Sequence, residues 1–396
     1  MIPVSLPVAY VPLVDAAPLI IAQDMGFAAA EGISLDLVSA PSWSSVRDML
    51  AFGRVDAAHL LSPMPVAMGL GLGGVTTELV APYVLSANGN VIGVGRTLEA
   101  CLREAGYGFD FTDAAAAATA LAAVLKQGGN ARVTFGAPFP FSMHVELLRY
   151  WFDSTPLREC QIDIRVVPPP MMAQALADGD VDAFCVGEPW GSVAVEQGAG
   201  ALMLPGKAIW EFAPEKVLAV RRAWAETEPH LLSRLMQALW RAGRWLSQPD
   251  SRTTAAEILS RPEWLGIPPE LIDRALSGRF TISTRAEQRE VEGFLNFHDG
   301  AANFPWRSQA KWIADRIALA NGLDRAEAQR IAGGIFRADL YREHMAGGDV
   351  DLPGASEKLE GSIRHETAVA SHKGGLILQP DRFFDGRIFD PIPDEC

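Results

Sequence analysis

Two α/β lobes facing each other across a ligand cleft, followed by a helical C-terminal extension, are the architecture this sequence predicts. Three observations carry it. A strand–helix–strand–helix unit occurs twice in the first half of the chain, the helices of each copy have marked starts, and long helical apolar stripes take over after Lys216.

The first copy of the unit runs through a strand (Val4–Ala9), a helix from about Ala16 to Met25, a strand (Ile33–Val38) and a helix (Ser44–Phe52). It closes on Gly53-Arg54-Val55-Asp56-Ala57-Ala58. The second copy has a strand (Arg132–Phe135), a helix (Met143–Phe152), a strand (Ile162–Val167) and a helix (Met171–Ala177). Its closing phrase, Gly179-Asp180-Val181-Asp182-Ala183-Phe184, begins 126 residues after the first one. Strands alternating with helices over short loops build parallel sheets. Such sheets bind ligands beyond the carboxyl ends of their strands, where the next helices begin. Helix starts present free N–H groups and partial positive charge, which suits anions. Ser42 and Ser142 are placed to cap two of these helices. Ser62-Pro63 reads as a cap followed by a first-turn proline, and Glu188-Pro189-Trp190 opens a fourth helix. Beyond Lys216, apolar stripes predict helices over Pro229–Leu246, Ala310–Leu319 and Ala326–Tyr341. The Gly-, Pro- and Asp-rich tail Gly347–Cys396 reads as an extended wrap over the body.

With 396 residues, the chain has room for two or three domain-sized cores. Its net charge of −14 excludes a surface built for nucleic acid, which needs clustered Lys and Arg. No apolar run reaches membrane-spanning length, and the Ala114–Leu125 stretch is short and closed by Lys126. Met1 is followed at once by strand-like alternation with no Lys or Arg before Arg47, so a cytoplasmic location is expected. Cys101, Cys160, Cys185 and Cys396 have neither CxxC nor metal-ligand spacing. Catalytic signatures fail as well. Gly69-Leu70-Gly71-Leu72-Gly73-Gly74 lacks the phosphate-loop lysine, and there is no HExxH or GxSxG. No catalytic residue, metal ligand or cofactor is expected. Asp56 and Asp182 are repeat-related turn residues, and Glu188 supplies a charge that suits a helix start.

Several phrases, taken together and in order, carry a resemblance. They are Ala40-Pro41-Ser42-Trp43 with Arg47-Asp48, Ala58-His59-Leu60-Leu61-Ser62-Pro63-Met64-Pro65 and Asn88-Gly89-Asn90. Next come His144 with Leu148-Arg149-Tyr150-Trp151, and Val167-Pro168-Pro169-Pro170. Phe184-Cys185-Val186-Gly187-Glu188-Pro189-Trp190, Pro214-Glu215-Lys216, Asn303-Phe304-Pro305 and Asp385-Gly386-Arg387 complete the set. From about Val4 to Asp390 the chain resembles the nitrate- and bicarbonate-binding proteins of ABC importers and their cytoplasmic relatives, the NasS-type nitrate/nitrite sensors. The resemblance implies the two-lobed periplasmic-binding-protein (type II) fold, hinged on crossing strands near Val91–Gly95 and Val217–Val220. Lobe I is then 1–94 and 218–396, and lobe II is 95–217. It places the anion site on Trp43, Asn90, His144 and Lys216, with Gly89 beside Asn90. Read alone, these are a packing tryptophan, a turn asparagine, a structural histidine and a solvated lysine. The transport proteins carry Gln where this chain has Asn90, one methylene shorter.

Nitrate only accepts hydrogen bonds, so a site made of donors alone fits it. The ammonium of Lys216 and the N–H groups of Trp43, Asn90 and His144 are such donors. The bicarbonate binders carry an acidic residue at the position of Lys216, so Lys216 favours nitrate or nitrite. With the cytoplasmic expectation, the resemblance implies a sensor whose partner is an RNA-binding antiterminator response regulator. The alternative is the binding subunit of an importer, partnered by an ABC permease.

Overall fold

The computed structural model describes residues 3–128 and 132–392. Ten strands form the two main sheets. In chain order they are β1 (Val4–Tyr10), β2 (Ile33–Ser39), β3 (Ala57–Leu61), β4 (Leu79–Asn88), β5 (Asn90–Gly95), β6 (Val133–Ala137), β7 (Ile162–Val166), β8 (Ala183–Gly187), β9 (Gly200–Pro205) and β10 (Pro214–Arg221). One sheet runs β2-β1-β3-β10-β4 and adds the two-residue strand Leu295–Asn296 beside β4; the other runs β7-β6-β8-β5-β9. The repeat seen in the sequence is thus a repeat of register. Val4 of β1 pairs with Ile33 of β2 and Val133 of β6 with Ile162 of β7, each in parallel and each 29 residues along. β3 and β8 are buried along their whole length, and they read as continuous rather than alternating apolar runs because helices cover both faces.

The repeat goes further than the expected three strands. In each sheet the next neighbour is antiparallel and lies outside the repeated unit: β10 against β3, and β5 against β8. The chain therefore changes sheets at Gly89, between β4 and β5, and again over 206–213, between β9 and β10. By sheet membership these points replace the expected boundaries at 94/95 and 217/218. Gly89 has φ +102°, a left-handed turn, and a Cβ there would stand 2.7 Å from Leu295 Cδ1, so only glycine fits.

Ser42 and Ser142 cap their helices as expected, each accepting the N–H three residues on at 3.2 Å. Ser62 does not. Its backbone is already helical and its hydroxyl donates to the Pro214 carbonyl at 2.6 Å, tying β3 to the start of β10. The stripe expected over Ala326–Tyr341 is two helices, Arg325–Gly333 and Ala338–Met345, broken at the Gly333-Gly334 pair. Pro229–Leu246 is one helix of 18 residues. Among the described residues no helix is long and apolar enough to cross a membrane.

The tail, described to Ile392, is fastened at several points. Phe383 stacks on Trp210 with ring centroids 4.8 Å apart, and Tyr150 donates to Asp385 at 2.8 Å. Lys358 lies between Glu360 and Asp381, and Glu360 also accepts the Ser308 hydroxyl at 2.6 Å. Both carboxylates are buried, so the ammonium is what makes their burial tolerable. Lys358→Ala is expected to destabilise the protein by about 3–5 kcal/mol, read from the urea unfolding midpoint. A loss below about 1 kcal/mol would mean this cluster does not hold the tail.

Candidate functional site

Seven polar side chains come together where the sheets meet, from the carboxyl-end side of the parallel strands and the starts of the antiparallel ones. Asp15 lies in the 3₁₀ turn Val14–Ala16 after β1, and His59 in the middle of β3. Trp43 is the first residue of the helix Trp43–Ala51, and His144 the second of the helix Met143–Asp153. Asn90 opens β5, while Glu215 and Lys216 open β10, where Lys216 pairs with Leu61 of β3. None of the seven is more than 2% exposed.

A buried ammonium needs counter-charge, and Lys216 has two partners. Its Nζ lies 2.7 Å from Asp15 Oδ2 and 2.9 Å from Glu215 Oε1. It also stands 5.4 Å from the centre of the Trp43 ring. Burial alone would discharge the lysine, but the two carboxylates outweigh it and hold its pKa above the usual value. Asp15 also starts from a burial penalty; Lys216 and His59 overcome it and hold the carboxyl well below the usual range. His59 Nε2 is 3.0 Å from Asp15 Oδ1. Glu215 goes the other way, because burial pushes it up to about 6 in spite of Lys216. Burial lowers His59 and drives His144 well down, so both imidazoles are neutral at pH 7.

Four of the five residues picked from the sequence meet here. Lys216 and Trp43 face each other, Asn90 Nδ2 donates to Glu215 Oε2 at 2.9 Å, and His144 Nδ1 stands 3.3 Å from Glu215 Oε1. Gly89 contributes the turn, and its carbonyl accepts the Glu188 N–H at 3.2 Å. The expectation of a donors-only site fails. Two carboxylates stand against the lysine, the Asn90 amide is already donating to one of them, and Asn90 Oδ1 is an unpartnered acceptor. An O–H on a bound ion would find an acceptor here, so donor chemistry alone does not separate nitrate from bicarbonate.

Sequence reasoning missed Asp15, His59, Glu215 and Gly187. The first three had a signal: a charged or ring-polar side chain inside an otherwise apolar run (Val14-Asp15-Ala16, Ala58-His59-Leu60) or beside a picked lysine. Gly187, at the end of β8, had none. A Cβ on it would stand 2.7 Å from Leu13 Cδ2, 3.6 Å from Asp15 Oδ2 and 3.8 Å from His144 Nε2. The indole N–H of Trp43 and both ring nitrogens of His144 are buried without hydrogen-bond partners. Unspent polar atoms of this kind, next to an ammonium with a third N–H, are what an oxyanion uses. The lobes close over the site through bonds from Val14 N to the Glu188 carbonyl (3.0 Å) and from Trp190 Nε1 to the Pro12 carbonyl (3.1 Å).

Glu188 is fully buried, accepts the Ser192 N–H at 3.2 Å through Oε2, and has no partner at Oε1. Burial pushes it up to about 7. The folded protein therefore keeps a proton that the unfolded chain releases above about pH 4.5. Stability from this group is complete below that pH and is lost as the pH rises through about 7. Glu188→Gln is expected to gain about 1–3 kcal/mol over the wild type at pH 8 and nothing near pH 4.5, by denaturant unfolding at both pH values.

Comparison with known proteins bears on this geometry. The nitrate/nitrite binding protein NrtA of Synechocystis is 30% identical over 391 residues, 96% of this chain and 81% of that one. The nitrate import ATP-binding protein NrtC of the same organism is 32% identical over 344 residues, 86% of this chain but 50% of NrtC, so the chain spans about half the length of that relative. The crystal structure of the periplasmic nitrate-binding protein NrtA from Synechocystis superposes with a TM-score of 0.83 at 26% identity, covering 98% of this chain and 96% of that one. The NMT1-like family matches residues 3–260, well over half the chain. With a two-sheet binding-protein fold and polar side chains gathered at its interlobe cleft, this chain belongs to the NMT1-like family.

Proposed function

We propose that the protein binds nitrate or nitrite between its lobes and hands the ion to an importer made of a permease and an ATPase. The observation that carries this reading is Lys216, a buried ammonium at the meeting of the lobes, flanked by the unspent polar atoms Trp43 Nε1 and His144 Nε2. The relatives support it, since NrtA is named for binding nitrate and nitrite and NrtC for importing nitrate. They favour the importer over a sensor with an antiterminator partner, because the names just given speak of binding and import. Binding rather than catalysis also suits the chemistry. Burial pushes the Cys185 thiol beside the cluster well above its usual pKa, which makes it a poor nucleophile.

The ion enters by parting of the lobes, because Trp43, His144 and Lys216 are all but inaccessible. The two chain crossings, at Gly89 and over 206–213, are where such a motion bends. Isothermal titration of the protein with nitrate, nitrite, bicarbonate and an alkanesulfonate tests the reading. Saturable one-to-one heat with nitrate or nitrite is the expected result, and silence with both overturns it. Trp43→Phe keeps an aromatic side chain, although a smaller one, and removes the indole N–H; it is expected to weaken nitrate about 5- to 30-fold, or roughly 1–2 kcal/mol. Small-angle scattering is expected to give a larger radius of gyration for the dialysed protein than for the nitrate-saturated one. Equal radii with saturable binding would argue against opening.

A further inference from the structure

The cluster around Lys216 has the wrong charge for the task just assigned to it. Asp15 and Glu215 each stand within 3 Å of the ammonium, so one cation faces two carboxylates and the site is net negative when both are ionised. An anion placed against Lys216 is also close to both.

The hydrogen-bond count points the same way. A neutral imidazole carries one N–H. His144 Nδ1 lies 3.3 Å from Glu215 Oε1, out of line for a hydrogen bond but close enough that an ionised Glu215 favours the N–H on Nδ1. Nε2 then shows a bare lone pair to the site, which repels an oxyanion as the carboxylates do. One added proton removes both difficulties. If it goes to His144, both ring nitrogens become donors, one to Glu215 and one to the anion. If it goes to Glu215, the carboxylic acid donates to Nδ1 and the ring's own N–H moves to Nε2. Either way the cluster gains one positive charge and one donor aimed at the ligand.

We propose that the anion enters this site together with one proton, held by the Glu215–His144 pair. The inference rests on the reading of the cleft as an anion site. The other groups around the pair do not compete well for the proton. Lys216 on β10 is already charged, and Asp15 after β1 is held ionised by Lys216 and His59. His59 on β3 is held down by burial and stands with Nε2 3.0 Å from Asp15, Asn90 on β5 does not titrate, and the Cys185 thiol on β8 is already protonated. Burial has already lifted Glu215 towards neutrality, and a nearby anion lifts both it and His144 further.

Full-length protein is titrated with potassium nitrate by calorimetry at pH 7.5 in HEPES and in Tris, whose ionisation heats differ. About one proton taken up per nitrate is expected, with affinity falling about tenfold per pH unit between pH 7 and 8.5 and levelling off below about pH 6. Glu215→Gln presents a neutral amide at the same place, and is expected to bind nitrate with no proton uptake and a flat pH profile. If that variant does not fold, the ¹⁵N shift of His144 Nε2 in the wild type serves instead. It moves from the bare to the protonated range on adding nitrate if the proposal holds, and stays put if it does not. Nitrate binding with no uptake in either buffer overturns the proposal and leaves the anion site standing. Uptake that persists in Glu215→Gln while the His144 Nε2 shift stays put overturns the assignment to this pair. No saturable binding of nitrate or nitrite at any pH removes the anion site and the proposal with it.

Discussion

A lysine ammonium sits where two sheets meet, out of reach of water, and much of the structure is arranged around that fact. Leaving Lys216 buried and alone would be more costly than the fold could bear, so Asp15 and Glu215 must stand beside it. Asp15 is delivered by the tight turn after β1 and Glu215 by the residue before Lys216 itself. Glu215 then reaches across the lobes to Asn90 and His144, so the group that neutralises the lysine also ties the lobes together. Placing β10 between β3 and β4 puts Lys216 at that point, and Ser62 holds the start of β10 through its bond to Pro214.

Much of the fold was legible because it is local. The closing phrases at Gly53 and Gly179 mark the same turn in the two copies, and Ser42 and Ser142 cap as their sequence says. What was not legible depends on pairing between distant segments. Nothing in the apolar run of β5 says that its neighbours are β8 and β9 rather than β4, so the lobe boundaries came out several residues too late. Ser62 looked like a cap until a strand more than a hundred residues away claimed its hydroxyl.

The site divides along the same line. The family phrases raised Trp43, Asn90, His144 and Lys216 together from ordinary packing, turn, structural and surface residues, and Trp43 and His144 also open helices after parallel strands. His59 and Glu215 lay inside those phrases and Asp15 outside them, but their importance is electrostatic and appears only when the three converge around one ammonium. A residue-by-residue reading collects donors for a ligand; it does not count the charges that those donors already satisfy. Here that count changes the chemistry from a site of donors to one that balances charge.

The exchange of strands between the sheets also governs how the chain can fold as it is made. After the first 88 residues have emerged, β3 and β4 exist, but the strand that belongs between them is still more than a hundred residues from being synthesised. β4 has no partner in that sheet until β10 and the short strand Leu295–Asn296 arrive. The second sheet has no such gap, since β5 to β9 are consecutive in the chain. The middle of the polypeptide is thus the unit that can complete its hydrogen bonding first. The N-terminal strands must wait for it, with long-range closure as the slow step.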